Sequence, residues 1–105
     1  MTYEELEQSL QARKFFGATP HEWRLMSALF LREQLYIKQI YPILWENPDW
    51  EPENPDVVIR THISRLKKKL IAIGLTVQVV WGRGYFMSKD DRAKALKMAE
   101  EAMSR

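Results

Sequence analysis

The N-terminal part of the chain places apolar residues at the spacing of amphipathic α-helices. The first helix is predicted to begin after Thr2, which fits a capping box, and to run to about Arg13, before residues 15–17 interrupt it. The second helix has stronger start signals, because Thr19 is a favourable N-cap and Pro20 suits the first helical position. The apolar stripes consist of Tyr3, Leu6 and Leu10 in the first helix and of Trp23, Met26, Leu29 and Phe30 in the second.

A third, short helix is expected within residues 37–45, with Ile40, Leu44 and Ile43 buried. Pro42 interrupts this pattern. An interior proline removes one backbone hydrogen bond, so the helix should be kinked or begin later. The next segment, residues 47–55, contains three prolines together with Asn and Asp and is predicted to be a loop without regular structure.

A long basic helix is predicted over residues 56–73. Asn54 or Asp56 is expected to cap its start, and Gly74 to end it. Its apolar positions share one face and belong in the core: Ile59, Ile63, Leu66, Leu70 and Ile73. The opposite face is polar and basic, which favours contact with an anionic partner.

The last third of the chain predicts a β-hairpin and a closing helix. Residues 76–81 and 85–87 are expected to pair across the turn formed by residues 82–84. Residues 89–104 then form a helix with Ala93, Leu96, Ala99 and Met103 on one side. A basic helix followed by a short ribbon can contact a DNA duplex twice, in the major groove and in the next minor groove.

The order helix, helix, loop, basic helix and hairpin is that of a winged helix-turn-helix, an α+β fold. The length of 105 residues allows one domain, residues 1–105, with a single core. Within it, residues 18–88 form the winged helix-turn-helix core. Residues 1–17 form an N-terminal helix with its connector, and residues 89–105 form a C-terminal helix.

The net charge of +2 is small, but the charges are unevenly distributed. Residues 57–84 carry six basic side chains and no acid, whereas residues 46–56 carry five acids and no base. A basic block is typical of a nucleic-acid-binding face, and an acidic block beside it is typical of a loop that faces another partner. Both blocks are equally compatible with solvated surface.

Composition argues against most catalytic and metal chemistry. The chain has no cysteine, and therefore no thiolate nucleophile and no cysteine-based zinc site. His21 and His62 lie far apart in sequence without ligand spacing, and His62 is expected to be a hydrogen-bonded residue at the edge of the buried face. No nucleophile with its base and no phosphate-cradling glycine loop is found, so we expect neither a cofactor nor enzymatic activity.

No apolar run reaches the length of a membrane span, and the N-terminus is acidic and polar rather than signal-like. We therefore expect a cytoplasmic, nucleoid-associated protein with no membrane partner.

Two adjacent strings resemble the DNA-binding effector domain of OmpR/PhoB-type response regulators: HISRLKKKL (residues 62–70) and VVWGRGYF (residues 79–86). The segments ATPHEWRLMSALF (residues 18–30) and IYPILW (residues 40–45) resemble the first and second helices of that family. The string VWGRGY is especially similar to the wings of cell-cycle response regulators from alphaproteobacteria. The resemblance covers residues 18–88 and implies a winged helix that binds double-stranded DNA and regulates transcription.

The chain also departs from the family pattern. Family members usually carry an N-terminal receiver domain and a small antiparallel sheet before the first helix, and this sequence shows neither. We therefore expect a free-standing effector domain without phosphorylation control through an attached receiver. Val57 and Val58 stand where the family often has Arg and Thr, and the helix beyond Ser88 is an addition.

The polar face of the basic helix supplies the candidate base-reading residues. Val57 can contact a thymine methyl group, and Thr61 or Ser64 can hydrogen-bond to a base edge.

Four basic residues on the same helix are candidate DNA contacts of two kinds. Arg60 or Arg65 can bind a guanine with two N–H groups, and the sequence does not decide which one does. Lys67 and Lys68 are expected to contact phosphate, which adds affinity but no sequence information.

The predicted wing carries Arg83 alone at its apex, between Gly82 and Gly84, which permit a tight reversal. Insertion of Arg83 into a narrow minor groove would favour A·T-rich DNA. Trp81 can lie against sugar and phosphate or pack on the inner face of the hairpin. The resemblance implies a backbone contact for the Tyr85 hydroxyl.

Two further tryptophans allow two interpretations each. The resemblance implies that Trp45 supports a contact to the DNA backbone, and core packing is the alternative. Trp50 and Glu51 lie in the acidic loop, and the resemblance implies that this loop contacts RNA polymerase. Alternatively, the loop is a connector whose charges keep it away from DNA.

The terminal helices have apolar stripes too narrow to fold alone, so they must dock on the domain, on each other or on a second subunit. We expect a weak homodimer, or one that forms on DNA with half-sites roughly 10 base pairs apart.

The sequence thus favours a sequence-specific regulator of transcription that binds double-stranded DNA. Two alternatives remain: a protein-interaction module that binds a regulator or RNA polymerase, and an architectural DNA binder without sequence preference.

Overall fold

The computed structural model describes residues 1–105 and contains six α-helices and one three-stranded antiparallel sheet, which confirms the α+β winged-helix class. The helices are α1 (Tyr3–Glu7), α2 (Leu10–Phe16), α3 (Pro20–Leu31), α4 (Ile37–Leu44), α5 (Pro55–Ile71) and α6 (Lys89–Met103). The strands are β1 (Leu35–Tyr36), β2 (Val77–Val80) and β3 (Gly84–Met87), and a 3-10 helix spans Pro48–Trp50. No helix combines the length and apolar composition that a membrane span requires.

The N-terminal segment forms two short helices, where the sequence pattern predicted one. The Thr2 hydroxyl accepts a hydrogen bond from the Glu5 N–H (3.2 Å) and caps α1. The Ser9 hydroxyl accepts a hydrogen bond from the Ala12 N–H (3.2 Å), so it starts a second helix instead of continuing the first. The change of direction leaves Leu10, predicted to be buried, 48% exposed.

The end of α2 also differs from the prediction. The helix continues beyond Arg13 to Phe16, and Gly17 ends it in the left-handed conformation with a φ of +64°. This extra turn buries Phe16, which stacks on Trp23 with 5.4 Å between the ring centroids.

The central helix α3 begins as predicted. Thr19 and Glu22 form a capping box, in which each side chain accepts a hydrogen bond from the backbone N–H of the other residue (3.3 and 3.0 Å). Trp23 is 1% exposed, and its indole Nε1 donates to the Leu6 carbonyl (3.0 Å), which ties α1 to α3. The predicted inward stripe is fully buried: Trp23, Met26, Leu29 and Phe30.

The short strand β1 was not predicted. It pairs with β3 in antiparallel register, Leu35 opposite Tyr85 and Tyr36 opposite Gly84. Two residues carry too little alternation to signal a strand from sequence, and the pairing exists only because β3 lies alongside. Gly84 allows the close approach, since an added Cβ would lie 2.1 Å from the Leu35 carbonyl oxygen.

Helix α4 starts at Ile37, so a later start, one of the two predicted effects of Pro42, is wrong. Pro42 lies inside the helix and is exposed, and it removes only one backbone bond from a helix of eight residues. Ile40 and Leu44 are buried as predicted, whereas Ile43 is only partly buried against the core. The Ile37 N–H donates to the Arg83 carbonyl (2.9 Å), which anchors the wing turn to the start of α4.

The following segment was predicted to lack regular structure, but it contains one 3-10 turn. The Asn47 side chain accepts a hydrogen bond from the Asp49 N–H (3.0 Å), and Pro48 occupies the first position of the turn, where no N–H is needed.

Helix α5 spans 17 residues, one earlier at its start and two earlier at its end than predicted. Asn54 occupies the N-cap position without a side-chain hydrogen bond, and Asp56 lies inside the helix. Ile59, Ile63, Leu66 and Leu70 are buried as predicted, but Ile73 is 38% exposed. The helix ends at Ile71, so the 3.6-residue period no longer applies to the residues that follow. The next core position is therefore taken by Leu75 and not by Ile73.

The hairpin turn lies one residue earlier than predicted. Strands β2 and β3 pair from Val77 opposite Met87 to Val80 opposite Gly84, which leaves the three residues 81–83 as the turn. Gly84 is therefore a strand residue rather than part of the turn.

Helix α6 begins at Lys89 and is capped by Ser88, whose hydroxyl accepts from the Asp91 N–H (3.1 Å). Its buried residues are Ala95, Ala99 and Ala102. Ala93 is exposed, so its predicted inward position is wrong, and Leu96 and Met103 are partly buried.

The terminal helices pack within the chain. α1 contacts α3, α2 contacts α6, and α6 contacts α3. The terminal helices therefore dock on the domain and on each other, which are two of the three arrangements expected from the sequence.

Candidate nucleic-acid interface

The solvent-facing side of α5 forms a shallow groove. Its lining residues recur every three or four positions and therefore share one face of the helix. They are Val57, Arg60, Thr61, Ser64, Arg65 and Lys68, all of them exposed. The structure thus brings the predicted base-reading residues onto one surface, while the buried stripe of α5 holds the opposite face against the core.

The two hydroxyl groups in the groove differ in availability. The Thr61 hydroxyl donates to the Val57 carbonyl within the helix (2.9 Å), so its hydrogen is already used. Ser64 makes no hydrogen bond through its side chain within the chain, so its hydroxyl can donate or accept outward.

The basic side chains of the groove are unpaired. The chain has only two ion pairs, Arg24 with Glu7 (3.6 Å) and Lys69 with Glu22, and neither involves the groove. Arg60, Arg65 and Lys68 therefore present uncompensated positive charge in the place where an anionic polymer would bind.

Lys67 and Lys69 do not line the groove, and both are partly buried. Lys69 reaches the buried Glu22 carboxylate and fastens α5 to α3. Burial alone would raise the pKa of Glu22, but the hydrogen bonds from Lys69 and Thr19 outweigh it and lower the pKa.

A second cleft lies between α5, the start of α4 and the wing. Arg60 lines both this cleft and the α5 groove, whereas Arg65 lines only the groove. The cleft residues are Ile37, Asp56, Ile59, Arg60, Trp81, Gly82 and Tyr85. Arg60 thus connects the exposed face of the helix to the wing, a distinction between the two arginines that the sequence left open.

The wing turn consists of Trp81, Gly82 and Arg83. Gly82 has a φ of +70°, as the sequence predicted for a tight reversal, and the Arg83 N–H donates to the Val80 carbonyl (3.0 Å). Arg83 is exposed but is not alone at the tip, because Trp81 shares the turn and is 95% exposed. Packing of Trp81 on the inner face of the hairpin, one of its two predicted positions, is therefore wrong.

Tyr85 is only 8% exposed, so its ring is a core residue with its edge in the cleft. Burial raises the pKa of the Tyr85 hydroxyl, while nearby Arg60 opposes the rise and Asp56 adds to it. Trp45 is partly buried, packs against the core and lies 6.0 Å from the Tyr41 ring. Both aromatic residues therefore have structural roles in the isolated chain.

Sequence reasoning missed Lys38. Together with Arg83 it lines a cleft at the start of α4, whose other residues are Tyr36, Ile37, Tyr41, Asp56 and Gly82. The Tyr41 hydroxyl donates to Asp56 in this cleft (2.5 Å), and this hydrogen bond raises the pKa of Tyr41. The basic stretch counted from Val57 onward gave no signal for Lys38, because sixteen residues with four acids separate it from α5.

The acidic segment, residues 46–56, lies between α4 and α5. Trp50 is 67% exposed at the end of the 3-10 turn, and Glu51 follows it at the surface. An exposed indole among unpaired acids is a surface distinct from the basic groove.

The two histidines are neighbours in space, although they lie far apart in sequence. The rings of His21 and His62 lie 5.3 Å apart between centroids, because α3 packs on α5. His62 Nδ1 is buried without a hydrogen-bond partner, so the predicted hydrogen-bonded histidine is wrong. Burial and the neighbouring His21 lower the pKa of His62. No group of three or more ligating side chains is arranged to hold a metal ion.

A basic helix presented outward beside an exposed hairpin tip defines a winged helix-turn-helix DNA-binding domain. A family model described as "Transcriptional regulatory protein, C terminal" matches residues 13–87. The chain therefore belongs to this family of OmpR/PhoB-type DNA-binding domains, which confirms the resemblance, and its role is DNA binding in the regulation of transcription. No curated protein and no solved structure matches the chain.

Proposed function

We propose that this chain recognises a specific double-stranded DNA sequence, with α5 in the major groove and the wing in the adjacent minor groove. The observation that carries the proposal is the continuity of two surfaces: the α5 groove and the wing cleft share Arg60, so one surface extends from helix to hairpin. A flat basic patch would suit any polyanion, whereas an exposed helix face followed by an exposed hairpin tip matches the spacing of successive DNA grooves.

Within the proposal, Ser64 and Arg65 read bases. Arg65 is exposed in the groove and has no acidic partner, so its guanidinium is free to bind a guanine through two N–H groups. The free hydroxyl of Ser64 lies one position before it. Val57 contacts a thymine methyl group, and Thr61, whose hydroxyl hydrogen is engaged, contributes its methyl group.

The remaining basic residues bind phosphate. Arg60 is placed between helix and wing, where the sugar-phosphate strand separates the two grooves. Lys68 extends the contact along the α5 groove, and Lys67 binds phosphate from beside the groove. Lys38 with Arg83 extends the contact to the start of α4. We expect Arg83 also to reach into the minor groove and to favour A·T-rich flanks. Tyr85 and Trp45 contribute mainly by supporting the wing and α4.

The test is selection of bound duplexes from a random library at near-physiological salt. The wild-type chain should enrich one motif, and a Ser64→Ala, Arg65→Ala double variant should lose or relax that motif at one or two positions. Lys97→Ala is the matched control, because Lys97 is an exposed cation on α6, outside both clefts. Enrichment of A·T-rich DNA without a motif would instead support an architectural DNA binder.

Salt dependence separates phosphate contacts from base contacts. The logarithm of the affinity should fall linearly with the logarithm of salt concentration, and removal of Lys68 should reduce the slope by about one. Removal of one phosphate contact should weaken all duplexes alike.

A second candidate function is contact with RNA polymerase through the acidic segment. The exposed Trp50 beside Glu51 supports it, since an indole that is 67% exposed has apolar surface to bury against a protein partner. A Trp50→Ala, Glu51→Ala variant should keep its DNA affinity while transcription from a bound promoter changes. Equal loss of both would contradict the idea and leave the segment as a connector.

We propose further that residues 1–105 fold as one domain, because the terminal helices bury Leu6, Ala12 and Ala99 in the same core as α3. With these helices docked inside the chain, a homodimer would form by adjacent binding on DNA rather than through them. Sedimentation of the free chain and of its DNA complex tests this, and a monomer in both would contradict it. Such a regulator would be found at the nucleoid, where its DNA lies.

A further inference from the structure

The wing tip carries an apolar side chain without any partner in the chain. Trp81 is 95% exposed, whereas the other exposed large apolar residues range from 38% to 67%. A tryptophan side chain has about 150–250 Å² of surface to bury, so this residue leaves most of its potential burial unused. A role for Trp81 in contact with DNA rests on the proposed function.

The turn that presents Trp81 is held at several points. Gly82 adopts a φ of +70°, the Arg83 N–H donates to Val80, and the Arg83 carbonyl accepts from Ile37 of α4 (2.9 Å). The next residue, Gly84, lies so close to β1 that no Cβ would fit. The indole therefore projects from an anchored turn, and binding a partner requires little ordering of the backbone.

The charges around Trp81 indicate an anionic partner. Arg83 lies two residues away in the same turn, and Arg60 lines the cleft that Trp81 also lines. The one acid in that cleft, Asp56, is engaged by the Tyr41 hydroxyl. A flat apolar group that shares its turn with one arginine and its cleft with another suits a base and the phosphates of its strand.

We propose that Trp81 acts as a wedge that enters the minor groove beside the wing, partly unstacks one base step and bends the duplex. Side chains that act in this way favour steps that unstack easily, and pyrimidine–purine steps such as TA are the most flexible. Trp81 would thereby select operators that carry such a step under the wing, although the indole forms no hydrogen bond that distinguishes bases. Arg83 beside it would hold the groove on one side of the kink.

The experiment uses the full chain and a duplex that carries its selected site. 2-Aminopurine is placed at successive positions under the wing, and its fluorescence reports local unstacking; end-to-end energy transfer on the same duplex reports bending. Wild-type chain should raise the fluorescence at one step and shorten the end-to-end distance. Trp81→Ala should abolish both signals and weaken binding by about five- to a hundredfold, and Trp81→Phe should retain part of them.

Trp50→Ala is the matched control, because Trp50 is also exposed but lies in the acidic segment. It should leave the bend and the fluorescence unchanged. As a second test, the TA step under the wing is replaced by a stiff A-tract step. The wild-type chain should then bind this duplex more weakly, whereas the affinity of Trp81→Ala should hardly change. Because Trp81 makes no contact inside the core, its variants are expected to remain folded, and thermal unfolding checks this.

The outcomes distinguish the wedge from the proposed function. A wild-type chain that selects a motif but produces no unstacking, or a Trp81→Ala variant that bends DNA as before, would overturn the wedge and leave sequence recognition by α5 intact. Absence of any DNA binding would overturn both. A Trp81→Ala variant that alters only self-association would also overturn the wedge and would assign the indole to a protein contact.

Discussion

Two tryptophans at opposite regions of this molecule show how differently the same side chain can be used. Trp23 is 1% exposed, stacks on Phe16, and donates its indole hydrogen to the Leu6 carbonyl. Trp81 on the wing is 95% exposed. We call the first region the aromatic core and the second the wing tip.

The comparison separates stability from binding. In the aromatic core, each apolar and polar atom of the indole is satisfied inside the chain, so the side chain contributes its full burial energy to folding. At the wing tip the same surface contributes almost nothing to folding and is left for a partner. The molecule is therefore expected to tolerate substitution at the wing tip and not in the aromatic core.

The largest effect is expected from Trp23→Ala. Removing a fully buried aromatic ring and leaving the Leu6 carbonyl unpaired should lower the free energy of unfolding by about 3–5 kcal/mol. Trp81→Ala should change it by no more than about 0.5 kcal/mol. Urea denaturation followed by circular dichroism measures both, and similar losses for the two variants would contradict the comparison.

The anchoring of the wing to the core is tested next. In Gly84→Ala the new Cβ would lie 2.1 Å from the Leu35 carbonyl, so β1 and β3 must separate, at a cost of about 1–3 kcal/mol. The matched control is Gly82→Ala, whose new Cβ would have no neighbouring atom within 4 Å. Only the positive φ of this position should destabilise the variant, by about 1–2 kcal/mol. Gly84→Ala should also weaken DNA binding beyond what its stability explains, and an affinity equal to that of the control would be the contrary result.

A smaller effect, confined to binding, is expected from Arg65→Ala. It should weaken binding to the selected site by about 1–3 kcal/mol and relax preference at one base pair, because a bidentate contact to guanine is lost. Stability should not change, since Arg65 makes no ion pair within the chain. Fluorescence anisotropy on matched and mismatched duplexes measures the effect. Equal weakening on both duplexes would reassign Arg65 to phosphate.

The smallest effect is expected in the pH dependence of stability, at the contact between α3 and α5. Burial and His21 lower the pKa of His62 below its value of 6.5 in the unfolded chain. The unfolded state therefore binds the proton more tightly, and stability should be complete above about pH 6.5 and fall as the pH drops below it. A small decrease in Tm between pH 7.5 and 5.5 is expected.

His62→Gln provides the control for this effect and should flatten the decrease. The carboxylate of Glu22 does not confound this window. Its pKa is lowered from 4.5, so its contribution is lost only at more acidic pH. An unchanged decrease in the His62→Gln variant would assign the pH dependence to other groups.

Local chemistry made several elements predictable. The Thr19 cap with Pro20 placed the start of α3 correctly, because a capping box depends only on residues three positions apart. The buried stripe of α5 followed from its 3.6-residue period as far as Leu70. The exposed groove of α5 followed from the same period, since the residues opposite a buried stripe must face solvent.

Other features depended on partners distant in sequence. Strand β1 has no signal of its own and exists because β3 pairs with it. The neighbourhood of His21 and His62, and the place of Lys38 beside Arg83, result from packing of separate helices and the wing. The split between α1 and α2 was readable in principle, because Ser9 is a favourable N-cap that the apolar spacing obscured.

The sequence by itself determined the order of the helices from α3 onward and of the hairpin, the family and the face of α5 that points outward, because periodicity, capping and motif strings are local properties. Only the tertiary structure decided that Arg60 belongs to both helix and wing surfaces, that Tyr85 is a core residue, and that Trp81 stands free. Burial depends on what packs against a residue, and those neighbours come from distant parts of the chain.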